Sequence, residues 1–153
     1  MREPTEQELL ACCAAPAWAG AIAAGRPYPD RAALETAAAT AADALSWDDV
    51  AQALAAHPRI GDPPKGDSQE AAWSRREQQQ ARKSPELIEA NRAYEQRFGR
   101  VFLIFASGRT EDEIVAAAKE RLGHDEATER RVTQGELKKI AMLRLGRLLD
   151  ALE

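Results

Sequence analysis

The sequence has few of the residues that build metal sites and disulfide frameworks. Its 153 residues include two histidines and two cysteines, and the cysteines, Cys12 and Cys13, are adjacent. Neighbouring cysteines can close only a strained ring, so we expect buried thiols rather than a structural disulfide. No Cys-x-x-Cys pair occurs, and two histidines give a zinc site few ligands. The sequence therefore predicts a protein without a metal centre.

Long apolar runs and an excess of one charge are also lacking. No stretch reaches the roughly 18 apolar residues of a membrane span. Glu3, Glu6 and Glu8 interrupt the N-terminal segment, which argues against the apolar core of a signal peptide. There are 21 basic and 25 acidic residues, and the two signs are interspersed, unlike the basic stripe that binds nucleic acid. We expect a cytoplasmic protein with no membrane or nucleic-acid partner.

Aromatic residues make up only 5% of the chain, although 44% of it is hydrophobic. The core must therefore be built mainly from Ala, Leu, Ile and Val. A length of 153 residues is typical of one domain, so we expect residues 1–153 to form a single helical domain. Ala-rich stretches at 32–44 and 51–56 favour helix over strand.

Capping signals divide the chain into helices. Thr5 and Thr110 begin capping boxes, and Asp30, Ser46 and Ser84 are N-cap residues. These signals predict an all-α fold, a compact domain of about eight helices with no cofactor-binding subdomain. The expected helices cover about 6–13, 16–24, 31–44, 47–56, 68–80, 85–98, 111–122 and 125–149. The apolar run at 101–106 is either a short buried strand or a buried helical turn, because periodicity does not separate the two.

Arg144 is a charged residue on the apolar face of the last predicted helix. At about 100° per residue it falls within the band formed by Leu137, Ile140 and Leu148. A guanidinium in that position is costly unless it meets a carboxylate, carbonyls or an anionic ligand. A buried ion pair with another helix, or a side chain that reaches the rim, would explain it without a function in binding.

Two further groups are candidates for chemistry. Ser74, Glu77 and Gln78 are spaced i, i+3, i+4, so one helix face presents a hydroxyl, a carboxylate and an amide. The alternative is an ordinary solvated face of a charged helix. His57 precedes Pro58, which favours a loop conformation for His57, and histidine is well suited to proton transfer near neutral pH. The alternative here is a histidine that caps a helix and has no chemistry.

The order and spacing of these groups resemble one family. The motifs are His-Pro-Arg-Ile-Gly-Asp at 57–62 and Ser-Arg-Arg-Glu-Gln at 74–78, followed by further matching segments at 91–99 and 102–109. Together they resemble the 2-oxo-4-hydroxy-4-carboxy-5-ureidoimidazoline (OHCU) decarboxylases of urate degradation. The resemblance covers nearly the whole chain, and the pairing of the first two motifs at this distance is its most specific part.

The resemblance implies an all-helical fold in which His57 is the catalytic histidine and Glu77 works beside it. It assigns the family's substrate-binding arginine to Arg144, where helical periodicity also puts an arginine inside, with Arg109 as the competing assignment. Other residues would line the pocket by side chain or backbone. The implied substrate-binding residues are Pro58, Ser74, Gln78, Phe102, Leu103, Ile104, Phe105, Ala106 and Arg144.

The implied reaction converts the small molecule OHCU to (S)-allantoin and carbon dioxide. No cofactor is implied, because the electrons left by carbon dioxide can delocalise into the unsaturated ring. The resemblance also implies a homodimer. Two other classes stay open: a helical binding or adaptor module without catalysis, and a lyase or hydrolase that acts on a related ureide.

Overall fold

Helices make up the regular secondary structure of the computed structural model, which describes residues 2–60, 69–77 and 84–153. Within these ranges there are eight α-helices and no strand, which confirms the all-α prediction. The helices are α1 (Glu6–Cys12), α2 (Pro16–Ala24), α3 (Arg31–Asp43), α4 (Trp47–Leu54), α5 (Gln69–Glu77), α6 (Pro85–Phe98), α7 (Glu111–Arg121) and α8 (Glu126–Leu152). None of the helices in the described ranges is long and apolar enough to cross a membrane.

The predicted capping residues begin the helices as expected. Thr5 and Thr110 form complete capping boxes at the starts of α1 and α7. The side chain of Ser84 accepts a hydrogen bond from the Leu87 amide, and Pro85 occupies the first turn of α6. That helix ends at Gly99, whose φ of 70° is the left-handed conformation that glycine adopts without a steric penalty.

Several predicted helix ends differ from the structure by one to three residues. Cys13 lies outside α1 in an extended conformation, although it is buried together with Cys12. The fourth helix ends at Leu54 rather than near residue 56. The last helix continues to Leu152 rather than ending at Leu149. Leu149 is still fully buried, and no proline or glycine follows it to end the helix.

The first of two units in the fold comprises Met1–Ala56 and Gln134–Glu153. Its core consists of small and aliphatic side chains from α1, α2, α3, α4 and the C-terminal part of α8. Trp18 is its buried aromatic residue, and the indole nitrogen donates to the carbonyl of Ala38 at 3.0 Å. Gln134 donates to the carbonyls of Ala42 and Leu45 at 3.0 and 3.1 Å, which ties α8 to the end of α3.

The second unit comprises His57–Thr133. It holds α5, α6, α7 and the first turns of α8, and α6 packs against α7. Tyr94 and Phe102 meet edge to face in its core, with ring centroids 5.1 Å apart. The core cluster also contains Ile60, Leu87, Ala90, Ile104, Ala106, Ile114, Val115 and Ala118.

The apolar run at 101–106 is neither a helical turn nor a strand, so both predicted alternatives were wrong. Four of its residues are buried, although the backbone has no regular secondary structure. A buried irregular backbone needs partners for its carbonyls. Nη1 of Arg121 donates to the carbonyl of Leu103 at 2.7 Å, and Nε of Arg109 donates to that of Phe105 at 2.9 Å. These arginines supply two of the hydrogen bonds that a helix or a sheet would otherwise provide.

Candidate active site

His57 lies in a bend beyond the end of α4, as the following proline predicts. The residue is 9% exposed, and Pro58 beside it is half-buried. A histidine that merely capped a surface helix would be more open to water. The burial of His57 is therefore compatible with a proton-transfer group inside a pocket.

The polar face of α5 is buried rather than solvated. Ser74 is 3% exposed and Glu77 is 7% exposed, while Arg75 and Arg76 lie on the exposed side of the same helix. A solvated face, the alternative interpretation, is therefore wrong for Ser74 and Glu77. Gln78, the third residue predicted for this face, lies outside the described residues. The second unit thus buries His57, a hydroxyl and a carboxylate.

Arg144 lies in the first unit and is 1% exposed, which confirms that its position on the apolar stripe turns it inward. A side chain that reaches the rim is excluded. Arg109, the competing assignment, is half-buried and lies three residues beyond the 101–106 run. Its Nε donates to the carbonyl of Phe105, so part of its guanidinium already supports that run.

The loop that carries His57 is attached to α6 by two side chains. Nδ2 of Asn91 donates to the carbonyl of Ile60 at 2.8 Å. The Arg59 guanidinium makes a two-pronged ion pair with Glu95 at 2.9 and 3.0 Å. Because Asn91 and Glu95 are four residues apart, they share one face of α6. Through these two contacts, this face of α6 holds the part of the chain that lies within three residues of His57.

Sequence reasoning missed Asn91, although a signal was available. The residue is 4% exposed and belongs to the buried set of α6 together with Leu87, Ala90 and Tyr94. Those positions follow the spacing of an apolar helix face. An amide on such a face needs a specific partner, and here the partner is a loop carbonyl.

Replacing Asn91 with leucine is expected to lower the free energy of unfolding by about 1–3 kcal/mol, because the buried Ile60 carbonyl would lose its donor. Urea denaturation measures the change. The matched control is Gln96→Leu, an exposed position on the same helix, where a change within about 0.5 kcal/mol is expected. Equal effects of the two substitutions would contradict the role given to Asn91.

A buried ion pair between α7 and α8 is the second feature that sequence reasoning missed. Nε and Nη2 of Arg121 donate to one oxygen of Glu129 at 2.9 and 2.5 Å. The hydroxyls of Tyr94 and Thr133 donate to the same oxygen at 2.5 and 3.3 Å. Nδ1 of His124 lies 3.1 Å from the other oxygen. Glu129 and Thr133 are completely buried.

Helical periodicity could have found this group. Relative to Leu137, Thr133 lies about 40° and Glu129 about 80° from the centre of the apolar stripe, at about 100° per residue. The apolar stripe of α8 that contains Arg144 therefore extends to these two residues. A glutamate and a threonine at successive turns of a buried face indicate a polar network in the core.

The pKa of the Glu129 carboxyl lies below its ordinary value of 4.5. Burial acts to raise this pKa, but the hydrogen bonds from Arg121 and Tyr94 and the charge of Arg121 outweigh burial. For the Tyr94 phenol, burial and the hydrogen bond to Glu129 raise the pKa. The carboxylate is thus the acceptor and the phenol remains a donor.

Acid is expected to lower the free energy of unfolding by protonating Glu129. Because the carboxyl has a lower pKa when folded than when unfolded, its contribution to stability is present above pH 4.5 and is lost as the pH falls through the folded pKa. We expect the free energy of unfolding to fall less steeply below pH 4.5 in Glu129→Gln than in the native sequence.

Urea denaturation across the acid range measures this difference. The control is Glu126→Gln, which removes an exposed carboxyl that ion-pairs with Arg100 and Arg130 one turn earlier in α8. Arg130 and Arg100 also hold the pKa of the Glu126 carboxyl below its ordinary value, but this side chain is 48% exposed. Glu126→Gln should therefore change the slope less than Glu129→Gln does, because salt and water screen an exposed carboxylate. An acid dependence in Glu129→Gln as steep as in the native sequence would contradict the account.

The described residues contain no group of three or more His, Cys, Asp or Glu side chains placed to hold a metal ion. Of the residues predicted for the site, the second unit contains His57, Ser74 and Glu77, all three buried, and the run 102–106. Such groups can donate protons, accept hydrogen bonds and orient a polar ring.

Comparisons with solved structures define the fold. The fold matches an OHCU decarboxylase crystallised in the presence of (S)-allantoin, with a TM-score of 0.71 and 29% identity over 94% of this chain and 97% of the other. It also matches an (S)-allantoin synthase with a TM-score of 0.64, at 20% identity over 94% of this chain and 50% of the other. The second likeness shows the fold alone.

The sequence comparisons name the family. A family model described as OHCU decarboxylase matches residues 2–146, so the chain belongs to the OHCU decarboxylase family. The OHCU decarboxylase of Amia calva is 31% identical, and the match covers 88% of this chain and 81% of that protein. That of Haloferax volcanii is 32% identical over 79% and 74%. A bifunctional uric acid degradation protein of Arabidopsis thaliana is 32% identical over 95% of this chain, which spans about half of that protein (47%).

Proposed function

We propose that this chain decarboxylates OHCU to (S)-allantoin and carbon dioxide. The observation that carries the proposal is the burial of His57, Ser74 and Glu77 in one unit of a chain whose family is established. An adaptor module gives these three buried side chains no specific role, whereas a decarboxylase gives one to each. The named relatives, an OHCU decarboxylase of Amia calva among them, support the choice of substrate.

The proposed reaction does not require a cofactor. The bond between the ring carbon and the carboxylate breaks and carbon dioxide leaves. The electron pair of that bond forms a double bond to the neighbouring ring carbon, and the pair of the carbon–nitrogen double bond moves to the ring nitrogen, which takes up a proton. The hydroxyl proton is then lost as its carbon becomes a carbonyl, and a proton is gained by the carbon that bears the ureido group. The protein has to orient the substrate, exclude water and deliver that proton to one face.

The side chains divide this work in the proposal. His57 donates the proton, or acts as acid and base on the ring hydroxyl before the proton arrives. Glu77 holds the histidine ring in one tautomer and orientation. Ser74, Pro58 and the backbone of residues 102–106 hold the ureido and ring groups. Gln78 joins them by resemblance only.

Arg144 is proposed to meet the negative charge of the substrate. A guanidinium offers a planar fork of donors that matches a carboxylate in two contacts. Because the departing carboxylate is charged before the reaction, this contact helps binding and orientation more than it lowers the barrier. We also propose that the protein acts in the cytoplasm and, from the family resemblance, that it is a homodimer; sedimentation of the purified chain tests the dimer.

The test is to add purified protein to freshly generated OHCU and to measure the release of carbon dioxide against the uncatalysed rate. We expect release to be accelerated in proportion to protein concentration. No acceleration would favour a binding module. Consumption of a related ureide without release of carbon dioxide would favour a hydrolase.

A further inference from the structure

The polar network of Arg121 and Glu129 ends on the irregular run at 101–106. While Nε and Nη2 of Arg121 face Glu129, its third nitrogen, Nη1, donates to the carbonyl of Leu103 at 2.7 Å. The guanidinium also lies 4.6 Å from the ring centroid of Phe102 and 5.7 Å from that of Tyr94. One side chain therefore contacts both the backbone and a side chain of this run.

Stability alone is a poor explanation for this arrangement. Burying two charges removes them from water, and well-packed apolar residues of similar volume often give equal or greater stability. Arg121 is 5% exposed and Glu129 is fully buried, so the penalty applies to both. The Arg121 guanidinium donates hydrogen bonds to a carboxylate and to a backbone carbonyl at the same time. This fixes a geometry that apolar side chains do not provide.

We infer that Arg121 and Glu129 are positioning residues for the substrate-binding backbone of residues 102–106. Glu129 orients the guanidinium, and the guanidinium holds the Leu103 carbonyl, so that the neighbouring amides keep their direction. The inference rests on the proposed function, in which these amides bind the substrate. Neither residue touches the substrate in this account.

Lysine cannot replace Arg121 in this role. Its single ammonium can satisfy Glu129 at one position, but it lacks the rigid fork that reaches the Leu103 carbonyl at the same time. Arg121→Lys therefore retains the ion pair and loses the geometry. This substitution separates the positioning role from simple charge pairing.

The experiment compares steady-state kinetics of OHCU decarboxylation in three variants. We expect Arg121→Lys to raise KM by about tenfold, the loss of roughly one hydrogen bond, while kcat changes less. The double variant Arg121→Met with Glu129→Gln should show the same rise in KM. It leaves neither charge buried alone, so it is expected to fold. Glu126→Gln, the exposed control on the same helix, should keep the native KM.

Amide hydrogen exchange of residues 102–106 is measured in the same proteins, because this readout does not depend on turnover. Faster exchange confined to this run in both Arg121 variants, together with the rise in KM, supports the inference. Native KM values in folded variants of an active protein would overturn it. An inactive native protein would instead overturn the proposed function, and with it the substrate-binding role of the run.

Discussion

Replacing His57 with asparagine is expected to lower kcat for OHCU decarboxylation by about 10²–10⁴-fold, the contribution typical of a positioned acid–base group. Asparagine is polar and of similar size, but it cannot exchange a proton near neutral pH. Because His57 lies in a loop rather than within a helix, the circular dichroism spectrum should not change. His57→Ala should have the same effect on kcat.

Thermal unfolding of both variants shows whether lost activity reflects lost structure. A melting temperature close to that of the native protein, with kcat reduced, assigns the loss to chemistry. Native kcat in a folded His57→Asn protein would remove His57 from the mechanism and leave the reaction without its proton donor.

Replacing Arg144 with lysine is expected to raise KM by about tenfold or more, with a smaller effect on stability. The charge is retained, whereas the planar fork that would grip a carboxylate is lost. The matched control is Arg130→Lys, an exposed arginine on the same helix that pairs with Glu126. The control should leave both KM and the melting temperature unchanged.

A purely structural role for Arg144 predicts a different pattern. Removing one partner of a buried ion pair typically costs about 3–5 kcal/mol, and Arg144→Met would then melt at a much lower temperature. A large fall in melting temperature with an unchanged KM would transfer the anion-binding role to Arg109. A raised KM in a protein that melts normally would support Arg144.

Local signals account for the parts of the fold that were predicted well. A capping box such as that of Thr110 needs only residues within one turn, so the sequence predicts the start of α7 correctly. The run at 101–106 could not be predicted in this way. Its conformation depends on Arg109 and Arg121, and the latter lies 18 residues away from Leu103 along the chain.

The site was predictable to different degrees. The burial of Arg144 follows from helical periodicity alone, because its neighbours on α8 form a regular apolar stripe. The burial of Ser74 and Glu77 does not, since α5 is rich in charge and either face could have met water. Their spacing put them on one face, but only the family resemblance favoured a binding role for that face over a solvated one. Asn91 and Glu129 lay on predictable stripes, but their partners depend on tertiary contacts.

In the proposed reaction, this helical fold delivers a proton to one face of the substrate ring. The most direct measurement is the optical activity of the allantoin formed when the purified protein acts on freshly generated OHCU. Uncatalysed protonation of a planar carbon gives both enantiomers equally, so we expect (S)-allantoin in excess with native protein and a racemic product with His57→Asn. Racemic allantoin from the native protein would contradict it.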